Sequence, residues 1–406
     1  MKYAIIIPDG AADVPITELG GKTPLDAAET PNLDRLASAG RLGVAATTPE
    51  GMLTGSDICS MSLLGYDPAL YHTGRAPIEA AGAGLRGSAT DTVCRVNLVT
   101  VTDGVMIDHS AGNMGEEDAA ELFQAIVAAW RMSGIDPTIE LHPGVGYRAS
   151  LIDRSHRQYG DASTHAPHDI PGLPVADHLP TGSPAAAFLS DLMSIAGPAL
   201  RDHPINAKRR ASGLREATGI WIWGEGTFPT LPSFESRHGL RGAMTTAVDL
   251  LSGLARVIGW DVLDVPGATG GHDNDYEAQG HASVSAIERS DVVCCHVESP
   301  DEAAHQGDWR TKVAAIEAID RHCVGPIAAR LADEPEWRLL VMPDHYTLCS
   351  TRKHDPTPPP YLIVGTGIAA DRSTAFRESD AAHAHAPVRA GHEIVPGLLL
   401  APADAR

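Results

Sequence analysis

Apolar residues run unbroken from Tyr3 to Ile7 and stop at Pro8, Asp9 and Gly10. A strand covered on both faces reads this way, so the run predicts a buried parallel strand that delivers Asp9 to the loop at its carboxyl end. Thr30-Pro31, followed by Leu33, Leu36 and Ala37, predicts a proline-initiated helix reaching Gly40. Similar apolar runs return late, at Val292–Val297 and Leu339–Met342, each ending at an acidic residue with histidine close behind. Ligands collect beyond the carboxyl ends of strands in open α/β sheets, so acids from distant parts of the chain can converge on one site. Tyr361–Val364 is a fourth candidate strand.

The middle of the chain has a different rhythm. Arg95–Val101 alternates, Thr102-Asp103-Gly104 reads as a hairpin turn, and Val105–Ile107 continues beyond it. Glu116–Trp130 has the period of an amphipathic helix, and Thr164–Pro184, rich in Pro, His and Gly, reads as an ordered loop. The expected architecture is α/β: a mostly parallel sheet flanked by helices, built from residues 1–80 and 245–406, with a smaller α+β domain, 81–244, inserted between them.

With 406 residues, 43% of them hydrophobic and 20% charged, the chain has the make-up of a globular protein. Its formal charge of −21 argues against a nucleic-acid partner, because phosphate backbones are held by clustered Lys and Arg. A small anionic substrate would need local help from a metal or from gathered arginines. The six cysteines show no C-x-x-C spacing, which suits a reducing cytoplasm. The N-terminal apolar run is too short for a signal-peptide core or a membrane span. His383 and His385 read as an exposed loop.

Asp301 and His305, four apart, share one face if the segment turns helically. Asp344-His345 follows a predicted strand, and His354 comes nine residues later. Singly, each has a bland reading: a solvated helix pair, a loop-capping acid, a satisfied histidine. Together with Asp9 they make a mixed oxygen and nitrogen set suited to two divalent ions, Mn²⁺ or Zn²⁺, with Mg²⁺ and Co²⁺ as further options. Two such ions about 3.5–4 Å apart can hold phosphoryl oxygens and activate a hydroxyl. Ser56, in Thr54-Gly55-Ser56-Asp57 ahead of an apolar helix, is the candidate nucleophile, or else only the helix's N-cap.

Beyond these residues, a series of motifs carries a resemblance: Ile7-Pro-Asp-Gly-Ala-Ala-Asp, Leu19-Gly-Gly-Lys-Thr-Pro-Leu, Thr30-Pro-Asn-Leu-Asp, Gly55-Ser-Asp, Ser62-Leu-Leu-Gly-Tyr-Asp-Pro, Tyr71-His-Thr-Gly-Arg-Ala-Pro-Ile-Glu, Pro143-Gly-Val-Gly-Tyr-Arg and Val265-Pro-Gly-Ala-Thr-Gly. Over nearly its whole length the chain resembles the archaeal-type cofactor-independent phosphoglycerate mutases of the alkaline phosphatase superfamily. The resemblance implies an alkaline-phosphatase-like sheet with an inserted cap domain. It implies one metal on Asp301, His305 and His354, a second on Asp9, Ser56, Asp344 and His345, and Ser56 as the phosphorylated nucleophile. It also implies substrate contacts from Arg148, His168, Arg237 and Arg241. Asn113, Ser252 and Gln279 depart from the family, standing where basic residues are common. The expected activity is interconversion of 2- and 3-phosphoglycerate or a close analogue. Two alternatives stand beside it: a paralogue acting on a phosphonate or phosphonyl group of a glycerate-like substrate, and a non-catalytic metal-binding regulator.

Overall fold

The computed structural model describes residues 1–384 and 387–401, which leaves His385 outside the described residues. Along the chain lie β1 (Lys2–Pro8), β2 (Arg41–Ala46), β3 (Thr92–Thr102), β4 (Val105–Asp108), β5 (Ile139–Pro143), β6 (Arg148–Asp153), β7 (Gly219–Thr227), β8 (Gly242–Thr245), β9 (Asp261–Leu263), β10 (Val292–Val297), β11 (Trp337–Val341), β12 (Tyr346–Leu348), β13 (Lys353–Asp355), β14 (Pro360–Gly365) and β15 (Arg389–Ala390). They belong to two units: Met1–His72 with Leu231–Arg406, and Thr73–Thr230.

The first unit is organised by an eight-stranded sheet in the order β15-β2-β14-β11-β1-β10-β8-β9. β1 is central, parallel to both β10 and β11, and β8 and β9 extend the parallel set. β10 is buried at every position, and β1 and β11 at every position but the first, which is why their sequences are continuous apolar runs. Ala4, Ile6, Val293, Cys295, Leu339 and Val341 share a core with Ile316, Ile327 and Leu331 from the helices that cover the sheet. β14, the fourth expected strand, is antiparallel to β11 and to β2, so the sheet is mostly but not wholly parallel. The helix expected after Thr30 spans Pro31–Ala39. Its free N–H groups are met from far along the chain: Asp320 accepts from Asn32 N at 3.1 Å and Leu33 N at 2.7 Å.

In the second unit β3 lies between β6 and β7 and turns into β4. Asp103 and Gly104 both adopt positive φ, 50° and 74°, the pattern of a type I′ hairpin turn. The alternation read in Arg95–Val101 does not produce one wet face. Asn97 is buried, donating to the His109 carbonyl and accepting from Trp223 Nε1. Leu122, Phe123, Ile126 and Trp130 of the helix Glu116–Met132 pack with Leu189 and Leu192 of the helix Pro184–Arg201 and with Val96 and Leu98 of β3. Among the described residues no helix is long and apolar enough to cross a membrane, and the six cysteines are free.

Candidate metal centre

Asp9, Asp301 and Asp344 all follow the carboxyl ends of parallel neighbours, β1, β10 and β11. The loop after β1 comes close because residue 10 is glycine. Gly10 sits at φ +57°, and a Cβ there would stand 2.6 Å from both Asp301 Oδ1 and Thr347 Oγ1. Gly10 N donates to Asp344 Oδ1 at 3.3 Å, tying the first strand's loop to the other acid.

Ser56 is the first residue of the helix Ser56–Leu63, and its N-cap is Gly55, so the bland expectation of a capping serine does not hold. Its Oγ lies 3.2 Å from His345 Nε2. One turn along, Ser60 donates to Asp344 Oδ2 at 3.1 Å. Asp301 and His305 belong to the helix Ser299–Gln306 and meet at 3.1 Å, as the four-residue spacing requires. β13 pairs with β12, setting His354 opposite Thr347 and 3.6 Å from Asp301 Oδ1. The structure therefore gathers Asp9, Ser56, Asp301, His305, Asp344, His345 and His354 at one end of the sheet.

Hydrogen bonds fix which ring nitrogens face inward. His305 Nδ1 lies 3.0 Å from the Arg352 carbonyl and His354 Nδ1 3.3 Å from the Thr54 carbonyl, so both Nδ1 atoms carry the proton. Their Nε2 atoms then face each other at 3.0 Å with lone pairs outward. Thr347 gives its hydroxyl proton to Asp301 Oδ1 at 2.6 Å and is left to accept from His345 Nδ1 at 3.1 Å, which frees His345 Nε2 as well. Converging lone pairs beside carboxylates are unfavourable without a proton or cation between them, and this donor set suits divalent ions.

The electrostatics agree. Asp9 is pushed well above the usual carboxylate range by burial, and then by Asp344, Glu298 and Asp301. Where no cation lies between them, protons on the Nε2 atoms of His305 and His354 take its place: burial acts to raise Asp301, but the hydrogen bonds these protons make overcome it and hold this carboxyl well below that range. His305 rises to about 9, chiefly through Asp301, while burial lowers His345. Asp9 Oδ1 is buried and has no hydrogen-bond partner among the described residues, lying 3.6 Å from His345 Nε2. An ionised carboxylate oxygen in that position calls for a cation.

Two residues of this cluster escaped sequence reasoning. His296, inside β10, bonds Asp9 at 2.8 Å, and Glu298 lies 3.6 Å from the same imidazole. A histidine inside a fully buried apolar strand was the available signal, since a buried polar group needs a partner.

The four expected substrate contacts are placed differently. Arg241 precedes β8 and sits 4.0 Å from Asp291, at the end of the parallel sheet opposite to Asp9, so the structure does not bring it to the cluster. Arg237 donates to the Gly65 carbonyl at 2.9 Å and lies over the Tyr66 ring. Gly65 follows the C-terminus of the helix that Ser56 opens, roughly 12 Å along its axis at 1.5 Å per residue, so Arg237 is also set apart. In the other unit, Arg148 opens β6 and is exposed, with its guanidinium 5.1 Å from the centre of the Tyr147 ring. His168 packs edge-on against Trp223, whose other neighbour is Arg95 at 4.1 Å. His109 contacts both His168 and Tyr147, joining these groups into a basic and aromatic patch in which Arg95 and His109 went unnoticed in the sequence.

The departures from family pattern also acquire a physical setting. Gln279 is buried, donating to the His296 carbonyl at 2.6 Å and accepting from Asn274, so neither end is left for a ligand. Ser252 is buried and bonds back to the Asp249 carbonyl within its own helix. Asn113 occupies left-handed backbone at φ 49°, which asparagine tolerates better than most residues.

A family model described as 2,3-bisphosphoglycerate-independent phosphoglycerate mutase matches residues 37–206. The chain is 43% identical over 400 residues to the 2,3-bisphosphoglycerate-independent phosphoglycerate mutase of Methanothrix thermoacetophila, covering 98% of this chain and 100% of that protein. A solved Pyrococcus horikoshii protein superposes with a TM-score of 0.82 at 30% identity, over 97% of this chain and 95% of its own. The cofactor-independent phosphoglycerate mutase of Thermoplasma acidophilum does so with a TM-score of 0.68 at 26% identity, over 98% and 99%.

Proposed function

Because the chain belongs to the 2,3-bisphosphoglycerate-independent phosphoglycerate mutase family, we propose that it interconverts 2- and 3-phosphoglycerate by passing the phosphoryl group through Ser56. The observation that carries this reading is the approach of Ser56 Oγ to 3.2 Å from His345 Nε2, among the carboxylates and imidazoles already described. Asp301, His305 and His354 would hold one divalent ion, and Asp9, Asp344 and His345, with Ser56 Oγ, a second; Mn²⁺ and Zn²⁺ suit this donor set best. Such ions supply charge to stabilise an alkoxide and the phosphoryl oxygens.

The chain's own groups do the rest. Ser56 stands at the start of its helix, whose positive dipole end favours the phosphate ester it becomes. Ser56 Oγ bonds phosphorus as the P–O bond to the glycerate oxygen breaks, and the proton given up by Ser56 ends on that oxygen, which leaves as a hydroxyl. The second half runs in reverse at the neighbouring hydroxyl, so atoms balance and no water is consumed. We assign Arg148 and His168 to the substrate's anionic groups, and the inserted unit, Thr73–Thr230, as the substrate-binding cap. Arg237 and Arg241 are given no such role.

A paralogue reading based on lost positive charge weakens once Gln279 and Ser252 are seen as buried, internally bonded residues. Cytoplasmic residence is the reading that best suits six free thiols.

The test is conversion of 3-phosphoglycerate by Mn²⁺-loaded protein, with intact-mass detection of a phosphoryl adduct after acid quench. The wild type converts substrate and carries the adduct, whereas Ser56→Ala does neither. An adduct that survives in Ser56→Ala defeats the assignment of the nucleophile.

A further inference from the structure

We propose that His296 is the positioning residue that selects which oxygen of Asp9 is offered to a metal ion. The proposal rests on the assignment of Asp9 as a metal ligand. His296 lies within β10 and its side chain is fully buried, as is that of Asp9. Its Nε2 is 2.8 Å from Asp9 Oδ2, and its Nδ1 is 2.9 Å from Thr246 Oγ. The polarity of this chain of bonds is set at the carboxylate end, and the hydroxyl end is compatible with it. Thr246 Oγ already accepts the Val248 N–H at 3.2 Å, so its own proton is free to go to His296 Nδ1. At the other end Nε2 faces Asp9 and, at 3.6 Å, a carboxylate oxygen of Glu298. A lone pair there would confront two carboxylates, whereas an N–H is attracted by both. His296 is therefore the Nε2–H tautomer, donating to Asp9 Oδ2.

The consequence falls on the other oxygen. With Oδ2 held by the imidazole, Oδ1 is the atom left without a hydrogen-bond partner among the described residues, on the side of His345 Nε2. Asp9 is thereby presented through one oxygen. The backbone of His296 is secured as well, since Gln279 donates to its carbonyl at 2.6 Å and is itself held by Asn274. His345, His305 and His354 point Nε2 lone pairs into the cluster, and His296 alone of the four points an Nε2–H. Partners that orient a ligand in this manner typically change metal affinity about 10–100-fold when removed.

The test is titration of metal-free, full-length protein with Mn²⁺ alone, followed by calorimetry and by the electron paramagnetic resonance of free Mn²⁺. Asp9→Asn serves to identify the binding that depends on Asp9. His296→Ala is expected to weaken that binding about 10–100-fold and to leave the remainder near wild type. His296→Gln, whose amide can donate in place of Nε2–H, should recover most of the loss, and Thr246→Val, which keeps the ring, should weaken the same binding in the same direction. In ¹⁵N-histidine spectra, the resonance that disappears in His296→Gln should show the Nε2–H tautomer. If His296→Ala does not fold, Thr246→Val and the spectrum decide. Unchanged affinity in these variants, equal weakening of all Mn²⁺ binding, or an Nδ1–H tautomer overturns this inference alone. Wild-type protein that takes up no Mn²⁺ overturns the metal reading and this inference with it.

Discussion

Replacing Lys312 with methionine removes a charge from the interior while nearly preserving side-chain length. Lys312 is fully buried, and its three donors meet Asp13 Oδ2 at 3.0 Å, the Ala12 carbonyl at 3.2 Å and the Thr347 carbonyl at 2.7 Å. Asp13 Oδ2 accepts in addition from Cys349 N at 3.1 Å, so this ammonium and carboxylate fasten the loop after β1 to the β12 segment beside it. The methionine variant leaves the Asp13 charge buried without its counter-ion and strips two carbonyls of a donor. Breaking one side of a buried pair costs about 3–5 kcal/mol, a large part of the roughly 5–15 kcal/mol that holds a domain folded. Urea unfolding followed by tryptophan fluorescence should show a lower midpoint at unchanged slope. Asp13→Asn added to Lys312→Met should recover part of the loss, because the uncompensated charge is then gone. A single-variant loss below about 1 kcal/mol, or no recovery in the double variant, refutes the reasoning.

Gly10→Ala should abolish tight Mn²⁺ binding while the protein stays folded, because the new methyl would stand 2.6 Å from Asp301 Oδ1 in a left-handed backbone position; calorimetry of Mn²⁺ binding checks this. Asp320→Ala removes the acceptor for Asn32 N and Leu33 N at the start of the helix Pro31–Ala39 and should cost about 1–2 kcal/mol in urea, comparable to loss of a strong N-cap. Glu378 is raised from 4.5 to about 7, first by burial, so the folded state holds a proton that the unfolded chain has released. Its contribution is thus intact below pH 4.5 and is lost as pH rises through 7. Because the residue is only partly enclosed, the effect is limited to about 2 kcal/mol. Urea midpoints at pH 5 and 8 should differ less in Glu378→Gln than in the wild type, and an equal difference in both would exclude this carboxyl as the source.

How much of this was legible follows from which residues act locally. Asp9, Asp301 and Asp344 could be read because parallel strands buried on both faces appear as apolar runs, and the polar residue after such a run lies at the sheet's carboxyl edge. Arg241 comes before β8 and not after it, but Gly-Ala-Met-Thr is too short and too weakly apolar to show as such a run, so its place at the opposite edge had no local mark. Arg237 was beyond the rule, since its bond to the Gly65 carbonyl is a contact across 172 positions of sequence. The Asp320 cap and the Lys312 clamp are long-range for the same reason: the chain carries no local mark of a partner 287 or 299 residues away.

His296 shows most clearly where pattern gives way to geometry. In the sequence it interrupts Val-Val-Cys-Cys-His-Val, and periodicity says only that it is buried. Burial alone would favour replacing it by an apolar residue, because desolvation pushes its pKa down to about 4 and a neutral imidazole contributes no charge to offset four nearby carboxylates, Asp9, Glu298, Asp301 and Asp344. What a neutral imidazole does contribute is direction: one donor and one acceptor on opposite sides of a rigid ring, able to join Thr246 to Asp9 across the strand end. An amide on a flexible stem can imitate the donor but not the fixed span. A cluster that must present carboxylate oxygens to cations through chosen atoms therefore gains from an uncharged histidine that a charge count would discard.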